Sequence, residues 1–122
     1  MAQKQKILLV EDKPDVRRLF AIGLNQRGYE VKLAANGAEA VERAASERPD
    51  YILLDWLMPL MGGSEVIERL DQHDDVAAVP IIVVSGQQAP DQLPRRVASW
   101  LTKPLTVDDL VTELVRTDAF AH

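Results

Sequence analysis

The chain has 122 residues, 47% of them apolar, enough for one ordinary hydrophobic core and too few for two. Its formal charge of −5, with no long basic run, is the wrong sign for a surface that neutralises nucleic-acid phosphates. With no cysteine there is neither a disulfide framework nor a thiolate metal site, which suits a reducing cytoplasm.

The opening Met1-Ala2-Gln3-Lys4-Gln5-Lys6 is not followed by an apolar region long enough for export. Nowhere do roughly 18 apolar residues run together, so no membrane span is expected. The two histidines, His73 and His122, have no partner at ligand spacing and read as surface residues.

Ile7-Leu8-Leu9-Val10 is a continuous apolar run stopping at Glu11-Asp12, the pattern of a buried strand that ends in two acids. Pro14 fits the first turn of a helix, where its missing donor is not needed. Val16, Leu19, Phe20, Gly23 and Leu24 follow at helical spacing, and Gly28 stands where that helix would end. Val31-Lys32-Leu33 alternates like a half-exposed strand near a sheet edge. Asn36 with Glu39 is a capping-box pair, and Val41, Ala44 and Ala45 give a second helix its small-residue face before Pro49-Asp50.

Tyr51-Ile52-Leu53-Leu54 then runs into Asp55, and Pro59 with Gly62-Gly63 rules out any continuation of the strand. Val66, Ile67 and Leu70 are the stripe of a third helix. Pro80-Ile81-Ile82-Val83-Val84-Ser85 is another buried strand with a polar residue at its exit. From Gly86 to Ser99 the signal weakens. Pro90 and Pro94 allow at most a short or broken helix there. Trp100-Leu101-Thr102 is a brief last strand, Lys103-Pro104 a tight turn and Thr106 a cap. Val107, Leu110, Val111, Leu114 and Val115 form the clearest helical stripe in the chain.

Strands alternating with helices predict a single α/β domain over 1–122, a doubly wound parallel sheet of five strands. In such a sheet the carboxyl ends of the strands share one rim, where ligands bind. Glu11, Asp12, Asp55, Ser85 and Lys103 should therefore converge although they span most of the sequence. Crowded carboxylates raise one another's pKa unless a cation sits among them, and an all-oxygen cluster suits Mg²⁺. Asp55, as the central acid, could attack phosphorus and form an acyl phosphate. Lys103 would offset the phosphoryl oxygens, and the Ser85 hydroxyl would donate to one of them. Met58 and Met61 are packing residues on this reading, since thioethers are soft and the site is hard. Taken singly, each polar residue has an ordinary explanation: an Asp12–Lys103 ion pair, Ser85 and Asp55 as caps, Glu11 as a solvated loop residue, Trp56 as a core aromatic.

Glu11-Asp12, Asp55 with Met58-Pro59 and Gly62-Gly63 behind it, Ser85-Gly86 and Lys103-Pro104 together resemble the receiver domain of bacterial two-component response regulators, over the whole chain. The resemblance implies a flavodoxin-like sheet of order 2-1-3-4-5. It also implies Mg²⁺ held by Glu11, Asp12, Asp55 and the Trp56 carbonyl, and a cis Lys103-Pro104 bond. Asp55 would take phosphate from a histidine kinase or phosphotransfer protein. Such a chain is a signalling phosphoacceptor rather than an enzyme, catalysing only its own phosphorylation and dephosphorylation.

The resemblance further makes Trp100 the aromatic that swings inward on phosphorylation as Ser85 moves, with a downstream protein partner reading the 86–116 face. It implies a cytoplasmic monomer or weak dimer, either a stand-alone relay component or a piece of a larger protein. Two departures bear on this. Gly62 stands where an acid is common, and the 15 positions from Ser85 to Trp100 (100 − 85) are short of the family's spacing by about one turn, roughly four residues.

Other functions fit less well. A flavodoxin-like nucleotide binder would present small and hydroxylated residues to phosphate where this chain has Glu11-Asp12. A phosphatase with an aspartate nucleophile would need a second acid close behind Asp55, where Trp56 and Leu57 stand. A receiver-like interaction module working without phosphorylation would be marked by loss of a site residue, and none is lost.

Overall fold

The computed structural model describes residues 4–121, so His122 and the first three residues lie outside it. The strands are β1 (Lys6–Val10), β2 (Glu30–Ala34), β3 (Tyr51–Asp55), β4 (Ile81–Ser85) and β5 (Val97–Thr102). All pair in parallel in the order β2-β1-β3-β4-β5. The helices are α1 (Pro14–Gln26), α2 (Gly37–Glu47), α3 (Gly63–Leu70) and α4 (Val107–Ala121), with a 3-10 turn at Asp74–Val76.

The central strands are apolar throughout because both faces are covered. Leu8, Val10, Ile52, Leu54, Ile81 and Val83 meet α2 and α3 on one side. Ile7, Leu9, Leu53, Ile82 and Val84 meet α1 and α4 on the other. β2 lies on the edge and is half-exposed as expected, although Leu33, which the alternation puts on the apolar face, is itself 38% exposed.

Local signals set the helix ends. Pro14 opens α1, and Gly28 at φ +94 lets the chain turn back after it. The Asn36 side chain accepts the Glu39 N–H at 2.9 Å, and Glu39 reaches back to the Ala35 N–H at 3.1 Å, one residue earlier than in the usual capping box. Thr106 and Asp109 cap α4 reciprocally, at 3.1 and 2.8 Å. Gly62 begins α3 with no side-chain cap, the local consequence of having no acid there. At the far end of α4, Asp118 accepts from the Tyr51 hydroxyl at 2.6 Å and from Gln5 at 3.0 Å, fastening the helix to the amino-terminal edge of the sheet.

Two helical stripes are narrower than their spacing suggests. Leu19 is 64% exposed and Val115 58%, while Phe20, Ala21 and Leu24 of α1 and Leu110 and Leu114 of α4 are buried. Each successive residue lies 100° further round a helix, so a helix lying on a sheet covers one line of contacts and leaves its flanks in water. Gly23 lies in the α1–α4 contact, where a Cβ would overlap Val107.

Between β4 and β5 there is no helix at all; residues 86–96 are turns and bends. Arg96 holds this segment down. Its side chain is 11% exposed, and the guanidinium donates to the carbonyls of Val76 and Val79 at 2.9 and 2.8 Å and to Asp71 at 3.1 Å, while Arg95 pairs with the same Asp71. β5 is longer than the Trp100-Leu101-Thr102 core predicts. It starts at Val97, and its pairing with β4 passes over Ala98, a bulge that brings Trp100 opposite Val83.

Candidate phosphoacceptor site

The predicted acids, Ser85 and Lys103 lie at the carboxyl-end rim, whereas Trp100 lies within β5 opposite Val83. Glu11 and Asp12 follow β1, Asp55 ends β3, Ser85 ends β4 and Lys103 follows β5. Backbone bonds fix the loops that carry them. The Glu11 N–H donates to the Ala34 carbonyl at 3.1 Å, and the Lys103 N–H to the Ser85 carbonyl at 2.7 Å, extending the sheet one step past its strands on each side. The Lys103-Pro104 peptide bond is cis.

Glu11, Asp12 and Asp55 can bring one carboxylate oxygen each within 4.8 Å of the others. Glu11 is 2% exposed and Asp55 6%. Burial is the main reason the Asp55 pKa is pushed up to about 6; the Glu11 charge adds to the rise, Lys103 opposes it, and the nearby Asp12 carboxyl raises it further. Asp12 Oδ1 is buried with no hydrogen-bond partner among the described residues. A carboxylate oxygen in that condition is costly, and a cation is the simplest thing to satisfy it. The donor set, three carboxylates, has the hardness that Mg²⁺ prefers. The Trp56 carbonyl accepts the Gly63 N–H at 3.0 Å, which leaves a second lone pair.

Lys103 makes its contact with Glu11, Nζ to Oε2 at 3.2 Å, rather than with Asp12. Glu11 is the more deeply buried of the first acid pair and has the greater need of a counter-charge. It is therefore not a solvated loop residue. The Ser85 hydroxyl oxygen, fully buried, accepts the Gln87 N–H at 3.1 Å, and its own proton remains available to another acceptor.

Trp56 and Trp100 are partly buried against the same core cluster, their ring centroids 5.4 Å apart and tilted by 53°. The Trp56 ring lies on Gly63, where a Cβ would overlap it. Trp100 Nε1 donates to the Gln87 carbonyl at 2.9 Å. Gln87 thus touches Ser85 through its N–H and Trp100 through its carbonyl. As expected of a packing residue, Met58 is buried; Met61 packs against Gly37.

Sequence reasoning missed two supporting residues. Arg17 Nη1 donates to the Glu11 carbonyl at 2.8 Å and fixes the acidic loop from α1. Its position three residues after Pro14 is a signal, but Arg18 beside it is as good a candidate until the face of the helix is known. Gln87 stands in a turn-like run where no pattern distinguishes it from Gln88.

No described helix is long and apolar enough to cross a membrane. The profile of the response regulator receiver domain matches residues 7–115. Response regulator MprA of Mycobacterium ulcerans is 36% identical over 116 residues, 89% of this chain and 48% of that protein. The chain spans about half the length of the curated regulators it matches. Among solved structures, chemotaxis response regulator CheY4 of Vibrio cholerae aligns with a TM-score of 0.86 at 29% identity, covering 94% of this chain and 99% of that one. The receiver domain of sensor histidine kinase PA1611 from Pseudomonas aeruginosa, which has a magnesium ion coordinated in its active site cleft, aligns at 0.79 with 31% identity, covering 93% and 96%. With its sheet order, its rim of acids and a matching profile over most of its length, the chain belongs to the response regulator receiver domain family.

Proposed function

We propose that this receiver accepts a phosphoryl group on Asp55 from the phosphohistidine of a histidine kinase or phosphotransfer protein, in a Mg²⁺-dependent reaction in the cytoplasm, and that the phosphorylated state alters a partner-binding surface. The observation that carries this reading is the buried Asp55 carboxyl grouped with Glu11 and with an Asp12 oxygen that has no partner among the described residues. The magnesium in the PA1611 receiver supports the choice of metal.

Glu11, Asp12, Asp55 and the Trp56 carbonyl would hold the cation. The cation would supply positive charge against the carboxylates and the incoming phosphoryl group. Asp55 supplies the attacking oxygen. An O–P bond to Asp55 forms as the N–P bond to the donor imidazole breaks, and the imidazole takes that electron pair and leaves neutral, its other nitrogen being protonated. Lys103, held over the site by Glu11, gives positive charge to the transferred group. Ser85 turns its free proton toward a phosphoryl oxygen.

That turn reaches outward through Gln87, which bonds both Ser85 and Trp100. Movement of Ser85 releases the Gln87 N–H, and the segment 86–96, which has no helix of its own, becomes more ordered as Trp100 moves inward. A cavity of about 160 Å³ lined by Trp56, Ser64, Ile67, Pro94 and Arg95 lies at the edge of this segment and offers a partner a foothold. The test is intact mass after incubation with acetyl phosphate and Mg²⁺. The mass should rise by one phosphoryl group, be restored by hydroxylamine, and fail to rise in Asp55→Asn. An adduct that survives the substitution would assign the acceptor elsewhere.

A further inference from the structure

The fold treats the four large aliphatic side chains of the loop after Asp55 in two opposite ways. This loop is closed at its base by the Gly63 N–H and the Trp56 carbonyl, 3.0 Å apart. Met58 and Met61 turn inward, whereas Leu57 is 62% exposed and Leu60 103%. Leu60 also has φ +70, and the Met61 N–H donates across it to the Pro59 carbonyl at 2.8 Å. That bond makes Leu60 the centre of a γ-turn of positive φ, the rarer and more strained form. Glycine or asparagine would take this conformation at little cost, while a bulky side chain is an outlier there. Leucine at this position exposes apolar surface and strains the backbone, and with its side chain wholly in solvent nothing in its own fold offsets either cost.

Single exposed leucines are ordinary. Two on one short loop, one of them strained, beginning at the residue after the acceptor, are a different matter. Asp55 is 6% exposed, so a donor reaches it only from the rim that this loop borders. The mouth already holds three carboxylates and Lys103. Apolar contacts beside it add binding without disturbing those charges, and they exclude water from the phosphoryl group in transit.

We infer that Leu60, with Leu57 beside it, is a docking contact for the protein that donates the phosphoryl group, taking the apolar flank next to its phosphohistidine. This rests on Asp55 being the acceptor. A small donor has no such flank and does not use the leucines, so the two kinds of donor separate docking from chemistry.

Leu60→Asn keeps a residue that tolerates the backbone, and Leu60→Met keeps an apolar side chain. Phosphotransfer to each is timed with acetyl phosphate, and with whichever member of a panel of phosphorylated histidine kinase cores and phosphotransfer domains is fastest on the unaltered chain. Leu60→Asn should lose about tenfold or more with the protein donor, the effect of losing one well-buried apolar contact, while Leu60→Met stays near the unaltered rate. Both variants should match the unaltered chain with acetyl phosphate, and thermal melts should show Leu60→Asn at least as stable. Unchanged transfer from the protein donor to Leu60→Asn would overturn the inference. So would equal losses with both donors, which would make Leu60 part of the acceptor chemistry, or transfer from no panel member while acetyl phosphate labels Asp55. Failure of acetyl phosphate to label the unaltered chain would instead overturn the acceptor assignment.

Discussion

Replacing Asp55 by asparagine keeps the shape of the side chain and removes its charge, so its effect on stability measures the electrostatic tension in the site. The carboxyl is 6% exposed, and its pKa is pushed from 3.8 up to about 6, first by burial and then by the Glu11 charge, against the pull of Lys103. An acid whose folded pKa is raised favours folding only while it is protonated. That contribution is complete below its unfolded pKa of 3.8 and is lost as pH rises through about 6. A rise from 3.8 to about 6 corresponds to roughly 3 kcal/mol as an upper figure. The amide must find its own hydrogen bonds, so we expect Asp55→Asn to be more stable by about 1–2 kcal/mol at pH 7.5 in EDTA. The gain should shrink toward zero or below at pH 4.5, where the native carboxyl is already protonated. Urea unfolding at the two pH values, in metal-free buffer, measures this directly. An equal gain at both pH values, or a loss at pH 7.5, would refute the electrostatic origin of the effect.

The same crowding predicts that Mg²⁺ raises the melting temperature of the unaltered chain, whereas Asp12→Ala raises it in metal-free buffer and abolishes the response to metal; identical melts of the unaltered chain with and without Mg²⁺ would contradict this. Arg96→Ala should cost about 2–4 kcal/mol, because the guanidinium is the donor to the Val76 and Val79 carbonyls and to Asp71, and denaturant melts will show whether it does. Trp100→Phe removes the donor to Gln87, so hydrogen exchange across residues 86–96 should quicken at rest while acetyl phosphate still labels Asp55. Beryllofluoride, a phosphoryl mimic, should increase protection in that segment of the unaltered chain; unchanged protection there alongside protection around Asp55 would remove the switch from the mechanism.

The central strands were legible because burial on both faces imposes a single demand, an unbroken apolar run, and each run stops at a polar residue where the rim begins. Glu11, Asp12, Asp55 and Ser85 could be placed together for that reason alone, and Lys103 joins them because it follows the last strand of the same parallel sheet. What could not be read depends on which way a side chain turns. Lys103 facing Glu11 follows from the depth at which Glu11 is buried, and depth has no signature in a two-residue acidic motif. The missing helix between β4 and β5 was signalled by Pro90, Pro94 and the short spacing, but not the arginine that takes over its anchoring work. Arg96 is a charged residue in a turn until the carbonyls of Val76 and Val79 come beside it. Leu60 stands between Pro59 and Gly62-Gly63 in the turn after Asp55, and neither its positive φ nor its exposure has a local code.

Phosphorylation at Asp55 is best tested by locating the phosphoryl group chemically. Borohydride reduces an aspartyl phosphate to homoserine and leaves a free aspartate untouched. After treatment with acetyl phosphate and Mg²⁺, then borohydride, tandem mass spectrometry of the peptide that follows Pro49 should find homoserine at position 55, with Asp12 intact. Homoserine at Asp12, or a phosphate on Ser85 that resists hydroxylamine, would contradict the assignment of Asp55 as the acceptor.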